Sequence, residues 1–324
     1  AGLTGIKEGT SVNDNGLVAF VGQVAGGESI FVGSGPATLK NITPSYISSS
    51  RAFSLAINLN NDNKIVAQDR KAGAPPATHV RVWDANSTDS FTQIAFGGSS
   101  STLYESVLSH PSINLSGQVV YSAFKKDGSS VLATQANEEG VPLATPLRPM
   151  IADDSRVVVR AGNQSTDPIR LYSYDLTSFE TIADANIGFV ALGRSPGVSA
   201  DARIIAFYAD LTAEGAENLN TNPGKGIFAS IVKNDGSGRM IQRIAGLTGN
   251  GFLDPGETFE DTNGNGKFDA GEIDKGPFTD FDVNSRVNVN NAGSVVSIGV
   301  DATGKRGIYF SHLRGATLSL VSGQ

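Results

Sequence analysis

The fold is decided by a short stretch, Val12-Asn13-Asp14-Asn15-Gly16-Leu17-Val18-Ala19-Phe20, because its pattern recurs along the chain. The pattern is an apolar residue, then Asn and a few small or polar residues, then a run of β-branched and other apolar residues. Close copies occupy residues 59–67 and 113–121, and weaker copies occupy 151–159, 198–206 and 289–296. Asn, Asp and Gly favour turns because they tolerate positive φ or bond to their own backbone, so each copy predicts a turn followed by a strand.

Two further apolar stretches follow most copies and predict additional strands. The second stretches include residues 29–32, 80–83 and 307–310, and the third include 93–95 and 318–321. The turns are anchored at Asn13, Asn60, Asn114, Ala152, Ser199 and Asn290, in steps of 47, 54, 38, 47 and 91 residues. The first four steps match the length of a propeller blade.

These repeats predict an all-β chain that forms a single β-propeller domain over residues 1–324, with six blades. Seven blades stay open if residues 229–285 hold a degenerate unit. The alternative architecture is a pair of β-sandwiches or a β-solenoid with similar spacing. The repeat resembles the Asn-x-x-Gly-x-Val-x-Phe blades of secreted bacterial β-propeller-like proteins, and that resemblance implies a fold more than an activity.

The longest step contains an insertion, residues 246–276, with a candidate calcium loop. Residues 261–272 read DTNGNGKFDAGE and fit the pattern Asp-x-Asn-x-Asn-Gly-x5-Glu. Ca²⁺ binds six to eight oxygens, and alternate residues of a tight loop point their oxygens inward. The predicted ligands are the side chains of Asp261, Asn263 and Asn265, the backbone carbonyl of Lys267, Asp269 directly or through water, and both carboxylate oxygens of Glu272.

A partial copy of this loop begins earlier in the insertion. Asn250, Asp254 and Glu257 repeat its fifth, ninth and twelfth positions, while Gly246 stands where the first Asp belongs. These three residues either hold a second ion or complete the shell of the first. The segment resembles the calcium loops of dockerins and thrombospondin type 3 repeats. It departs from an EF-hand because Gly and Pro flank it in place of long helices, so we expect a structural ion and not a sensor. Three carboxylates per loop predict a Kd of about 10⁻⁴ M.

Composition excludes several classes of protein. The 324 residues include 25 Lys and Arg against 32 Asp and Glu, so no positive excess is available for nucleic-acid phosphates. No apolar run reaches the roughly 18 residues of a membrane span. The absence of cysteine and a first residue, Ala1, that suits cleavage of a signal peptide predict a secreted or cell-surface protein of bacterial origin. The alternative for Ala1 is a recombinant chain trimmed at its start.

Catalytic motifs with a recognisable spacing are absent from the sequence. The three histidines, at positions 79, 110 and 312, lack paired metal-ligand spacing, and no Gly-x-Ser-x-Gly elbow occurs. Two acidic pairs, at 138–139 and 153–154, lie in predicted turns. An oxygen-rich stretch that contains Glu214, Glu217, Asn218 and Asn220 is predicted as a loop.

By elimination, the sequence favours an extracellular structural or adhesive protein, a calcium-stabilised propeller subunit of a surface matrix or filament. Its expected partners are copies of itself joined head to tail, or surface glycans. The alternatives are a carbohydrate- or protein-binding propeller module and a calcium-dependent propeller hydrolase. A hydrolase site would be built from loops of several blades, so sequence spacing would not reveal it.

Overall fold

The computed structural model of the chain is all-β, with one short helix among the residues it describes. These are residues 2–7, 9–72, 77–144, 147–247, 258–269, 272, 274–276, 278–313 and 319–323. Within them the strands form six antiparallel meanders in chain order, here called sheets 1 to 6, and a separate two-stranded hairpin. In that part of the chain, no helix is both long and apolar enough to cross a bilayer.

Sheets 1 to 3 occupy the first half of the chain. Sheet 1 contains β1 (Leu3–Ile6), β2 (Ser11–Val12), β3 (Val18–Val24), β4 (Gly27–Gly33) and β5 (Lys40–Asn41). Sheet 2 contains β6 (Arg51–Leu59), β7 (Lys64–Lys71), β8 (Ala77–Asp84) and β9 (Phe91–Gly97). Sheet 3 contains β10 (Tyr104–Val107), β11 (Ser112–Ile113), β12 (Val119–Lys125), β13 (Ser130–Thr134) and β14 (Asn137–Pro142). A parallel pairing of Tyr104 with Gly97 connects sheets 2 and 3.

Sheets 4 to 6 follow, with the hairpin and the helix placed in their connections. Sheet 4 contains β15 (Leu147–Ile151), β16 (Val157–Arg160), β17 (Ile169–Tyr172) and β18 (Phe179–Ala183). Sheet 5 contains β19 (Phe189–Leu192), β20 (Gly197–Val198), β21 (Ile204–Leu211), β22 (Gly224–Val232) and β23 (Arg239–Gly246), with α1 (Ala213–Leu219) between β21 and β22. The hairpin is β24 (Thr258–Phe259) and β25 (Asp274–Lys275). Sheet 6 contains β26 (Asp280–Phe281), β27 (Asn288–Val289), β28 (Ser294–Val300), β29 (Arg306–His312) and β30 (Ser319–Gly323). Short 3₁₀ turns occupy Pro36–Thr38, Pro44–Tyr46 and Ala185–Ile187.

The predicted turn-and-strand pattern is confirmed in every sheet. Each of the six anchor residues lies in the turn between the first and second strands, and the second and third apolar stretches are the third and fourth strands. The sequence did not reveal the first strands. In sheets 1, 3, 5 and 6 the first strand is broken into two segments that both pair with the second strand, so no continuous apolar run marks it.

The stretch predicted as an oxygen-rich loop is instead the helix α1, and that prediction is wrong. The Thr212 hydroxyl accepts a hydrogen bond from the Gly215 N–H at 3.0 Å and so caps the first turn. At the other end Asn220 adopts a left-handed conformation with φ of 50°. The two caps stabilise a helix that is too short to show apolar periodicity.

The chain divides into two compact units, residues 1–157 with 172–179, and residues 158–171 with 180–324. In the first unit, one apolar core joins sheet 1 to sheet 2 through residues such as Val21, Ile30, Ile65 and Trp83. In the second unit, a core joins sheet 5 to sheet 6 and includes Ile227, Phe278 and Tyr309. Within each unit, neighbouring sheets therefore bury apolar faces against each other, as repeat architectures require.

Asparagine side chains connect successive anchor turns in the first unit. The amide nitrogen of Asn13 donates to the Asn60 carbonyl at 3.2 Å, that of Asn60 donates to the Asn114 carbonyl at 2.7 Å, and that of Asn114 donates to the Ala152 carbonyl at 3.1 Å. The amide oxygen of each Asn also accepts from the backbone of its own turn; Asn60 Oδ1, for instance, accepts from the Lys64 N–H at 2.8 Å. One side chain thus closes its own turn and bonds the next sheet.

The substitution Asn60→Ala is expected to lower the free energy of unfolding by about 2 to 4 kcal/mol, because it removes the acceptor of the Asp62 and Lys64 N–H groups and the buried bond to the Asn114 carbonyl. Urea unfolding followed by circular dichroism measures the loss. The matched control is Asn15→Ala, which removes one exposed bond of 3.3 Å to the Asn61 carbonyl and should cost under about 0.5 kcal/mol. Equal losses in the two variants would contradict a special role for the anchor position.

Candidate functional site

The predicted calcium loop folds around two carboxylates. Asp261 accepts hydrogen bonds from the N–H groups of Gly264 at 2.6 Å and Gly266 at 2.7 Å. Glu272, which is buried, accepts from the Thr262 N–H with one oxygen and from the Asp269 N–H with the other, each at 2.9 Å. The first and last predicted ligands therefore lie in one compact turn, although they are separated by ten residues.

The side chains between them belong to the same network. Asn263 donates to Asp269 Oδ2 at 2.8 Å, and Asn265 donates to the same oxygen. These two bonds lower the pKa of the Asp269 carboxyl below its ordinary value. Five predicted ligand side chains thus lie together, while Lys267 is exposed and donates its N–H to Asn265 Oδ1 at 2.7 Å.

The remaining predicted ligands, Asn250, Asp254 and Glu257, lie outside the described residues. Among the residues that are described, no group of three His, Cys, Asp or Glu side chains is close enough to hold a metal ion by itself. Amide oxygens of Asn263 and Asn265 would have to supply part of any shell. Such a mixture of carboxylates and amides suits a hard cation such as Ca²⁺.

A second feature is a cleft of about 420 Å³ in the second unit, formed by three connections. The loop between β16 and β17 contributes Thr166, the 3₁₀ turn and the start of β19 contribute residues 185–190, and the segment around α1 contributes residues 212–218. The connections between second and third strands, and those between one meander and the next, lie at the end of the strands opposite the anchor turns. We call this cleft the loop-end cleft.

The floor of the loop-end cleft is closely packed. Gly188 and Gly215 pack backbone against backbone, since a Cβ on Gly188 would lie 2.5 Å from the Gly215 Cα. Beneath them the ring of Phe189 contacts Phe207 and Phe228, with centroid distances of 5.7 and 5.4 Å. This aromatic cluster is buried, so the cleft has a fixed base.

The rim of the loop-end cleft is polar and carries one charge. Asn186 donates its side-chain amide to Asp184 Oδ2 at 3.1 Å, which leaves its amide oxygen as an acceptor. Glu214 and Asn218 are exposed on α1, and Val190 is half exposed beside them. No motif in the sequence predicted this cleft, although Thr212 and Asn220 at the two helix ends are cap residues that signal a short helix.

A third feature is a buried charged cluster in the first unit, on the face of sheet 2 that contacts sheet 1. Asp69 on β7 pairs with Arg81 on β8, and both side chains are over nine-tenths buried. The Arg81 guanidinium lies 4.6 Å from the centroid of the Phe91 ring and 5.6 Å from that of Tyr46. The Arg51 guanidinium lies 4.7 Å from the centroid of the same Tyr46 ring.

Burial dominates the electrostatics of this cluster. It raises the pKa of the Asp69 carboxyl above its ordinary value, against the opposing charges of Arg81, His79 and Arg51. Burial and the Arg81 charge lower the pKa of His79. Four buried polar atoms here, Arg51 Nη1, Asp69 Oδ1, Arg81 Nε and Trp83 Nε1, have no hydrogen-bond partner. A sequence signal exists, because Asp69 follows Ile65 and Ala67 on the inward-facing alternate positions.

The other residues considered from the sequence do not meet in a site. His79 Nδ1 contacts Gln93 Oε1 at 3.1 Å, and His110 Nδ1 contacts Ser109 Oγ at 2.7 Å. Asp153 accepts from the Leu115 N–H at 2.7 Å, which is a link between anchor turns. Residues 138–139 lie on strand β14, so the prediction of a turn there is wrong, and Glu139 pairs with Lys125. Asp154 lies in a turn as predicted and pairs with Arg156 at 2.6 Å. The side chain of His312 lies outside the described residues.

Comparison with known proteins identifies the fold. No family model matches the sequence, and no curated protein matches it. The chain is similar to puromycin hydrolase, with 12% identity, a TM-score of 0.55, and coverage of 97% of this chain and 46% of that one. It is similar to a structure from a study of two prolyl endopeptidases, with 12% identity, a TM-score of 0.57 and coverage of 98% and 43%. Prolyl oligopeptidase B from Galerina marginata matches with 8% identity, a TM-score of 0.54 and coverage of 98% and 43%.

At these identities the likeness shows the fold alone, which is a β-propeller. The chain spans less than half the length of these solved proteins. The all-β prediction is thereby confirmed and the propeller prediction is supported, while the count of six blades stays a prediction. The predictions of one domain, of secretion, and of self-association or glycan binding stay predictions.

The expectation of a structural or adhesive subunit of a matrix or filament is contradicted, because the fold neighbours are propeller domains of hydrolases. That expectation came from the absence of contiguous catalytic motifs. In a propeller the residues of a site come from loops far apart in sequence, so the missing motifs carried no information about the role.

The substitution Arg81→Met is expected to cost about 3 kcal/mol of unfolding free energy, because it leaves the Asp69 carboxylate buried without its partner. The double variant Asp69→Leu with Arg81→Met should lose less than this single variant, since it removes both charges. Urea unfolding at neutral pH tests both. The control is Lys64→Met, at the half-exposed Lys64–Asp84 pair of 2.7 Å, with an expected cost below about 1 kcal/mol. A double variant that loses more than Arg81→Met would rule out a coupled buried pair.

Proposed function

We propose that this chain is a six-bladed, calcium-stabilised β-propeller module that binds peptide segments. The observation that carries the proposal is the agreement in fold with puromycin hydrolase and two prolyl peptidase structures over 97% to 98% of the chain. The names of the peptidases denote action on peptides. The six successive meanders support the count of six blades.

The loop-end cleft supports a binding role. Its volume of about 420 Å³ lies in the range of small-ligand pockets, and hydrogen-bonding groups of three separate connections converge on it. The chain covers 43% to 46% of the hydrolases it matches, so hydrolysis is not part of the proposal for this chain.

Peptide binding can be measured directly. A peptide Ala-Ala-Pro-Ala-Ala-Lys, labelled with fluorescein on the lysine side chain, is titrated with the purified chain and followed by anisotropy. We expect saturable binding with a Kd of about 10 to 100 μM, because the cleft buries only a small part of the peptide. Mass spectrometry of the mixture should recover the peptide intact.

Paired variants test whether the cleft is responsible. Thr166→Trp places a large ring at a residue that lines the cleft and should weaken binding at least tenfold. Thr181→Trp introduces the same ring at an exposed position outside the cleft and should leave binding unchanged. Absence of saturable binding up to 1 mM chain overturns the proposed function, and equal weakening by both variants would place the peptide elsewhere.

The calcium part of the proposal rests on the loop of residues 261–272. Asp261, Asp269 and Glu272 supply carboxylates, and Asn263 and Asn265 supply amide oxygens, within one hydrogen-bonded turn. The ion would lie at the centre of the loop, bound by these carboxylate and amide oxygens. It would thereby stabilise the insertion between sheets 5 and 6. A Kd of about 10⁻⁴ M fits the extracellular range.

Calcium should raise the melting temperature of the chain relative to EGTA by several degrees, because 10 mM Ca²⁺ at this Kd adds about 2.7 kcal/mol. Glu272→Gln should abolish the increase by removing the bidentate carboxylate. The control Asp127→Asn changes a solvent-exposed turn carboxylate and should retain it. A calcium effect that persists in Glu272→Gln would contradict this site.

A further inference from the structure

The loop-end cleft has a single ionisable lining residue. Eleven residues line it, and among them only Glu214 carries a charge at neutral pH. Within the described residues, the Glu214 carboxylate has no hydrogen-bond or ion-pair partner. The nearby carboxylate of Asp184 differs, because it accepts from the backbone N–H groups of Asn186 at 3.0 Å and Ile187 at 3.1 Å. The Glu214 carboxylate is therefore the charged group of this cleft that is available to bind a ligand.

The other polar groups around Glu214 add acceptors. The amide oxygen of Asn186, the side chain of Asn218 and the hydroxyl of Thr166 are exposed at the rim. No Lys or Arg lines the cleft, so a carboxylate or phosphate group would meet repulsion without a compensating cation. An ammonium group offers three donors and a positive charge, which match this arrangement.

We infer that the loop-end cleft binds a primary ammonium group, and that in a bound peptide this group is the amino terminus. The inference rests on the proposed function. Glu214 accepts from the ammonium group, Asn186 and Asn218 provide further oxygens, and the half-exposed Val190 contacts the aliphatic part of the first residue. The close packing of Gly188 against Gly215 keeps the backbone segments that carry Asn186 and Glu214 in place before binding, which reduces the entropy lost on association.

The test compares two peptides that differ only at their amino terminus. Ala-Ala-Pro-Ala-Ala-Lys, amidated at its carboxyl end and labelled on the lysine side chain, is prepared with a free and with an acetylated amino terminus. The native chain should bind the free peptide about fivefold more tightly, as an exposed charge pair allows. The preference should shrink in 1 M NaCl, where such pairs are screened.

Two glutamate variants identify the residue. Glu214→Gln should remove the preference for the free amino terminus while leaving the affinity for the acetylated peptide unchanged. Glu217→Gln alters the same helix at an exposed residue that does not line the cleft, and should keep the preference. Circular dichroism melting curves confirm that both variants are folded.

The outcomes separate the inference from the proposed function. If neither peptide binds, the proposed function fails and the inference fails with it. If the two peptides bind equally well to the native chain, the inference is overturned and peptide binding stands. A preference that survives in Glu214→Gln, or disappears equally in Glu217→Gln, also overturns the assignment to Glu214.

Discussion

The hydrogen bond from an asparagine amide to the backbone carbonyl of the next anchor turn is the constraint on which the first unit depends. Asn60 shows why this residue type is used, since its oxygen accepts from its own turn while its nitrogen donates to Asn114. Serine could close the turn but could not also reach the neighbouring carbonyl. At Ala152 the carbonyl still accepts, but no amide is present to continue the series. Burial of these amide groups makes each unpaired group costly, so the bonds hold successive anchor turns together.

Because the anchor turns occupy one end of the strands, the variable connections gather at the other end. In the second unit these include the loop before β17, the 3₁₀ turn Ala185–Ile187, the helix α1 and the calcium-loop insertion between β23 and β26. None of these segments is needed to pair the strands, so each can change length and composition without breaking the sheets. The loop-end cleft and the proposed ion site thus both lie in connections that the repeat does not constrain.

The charged cluster of sheet 2 differs from the anchor turns in what it contributes to the fold. Burying Asp69 and Arg81 carries a desolvation penalty that their mutual attraction does not fully offset. The pair therefore contributes little to the free energy of unfolding. Its contribution is orientation, because Arg81 lies between Tyr46, which belongs to the connection from sheet 1, and Phe91 of sheet 2. A guanidinium held between two rings favours one relative placement of these segments. Unpaired atoms at Arg51 and Trp83 mark this as the least satisfied part of the described core.

The sequence by itself determined the anchor turns, the strands that follow them and the ligand spacing of residues 261–272, because each depends on residues within a few positions of one another. Tertiary structure decided the rest. The broken first strands carry no apolar run and exist because the second strand of each sheet pairs with them. The loop-end cleft joins Thr166, Asn186 and Glu214, which lie far apart in the chain, and only the packing of sheets 4 and 5 within the second unit brings their connections together. Local patterns report turns and strands, whereas a site built from several connections requires the long-range packing that a linear pattern does not encode.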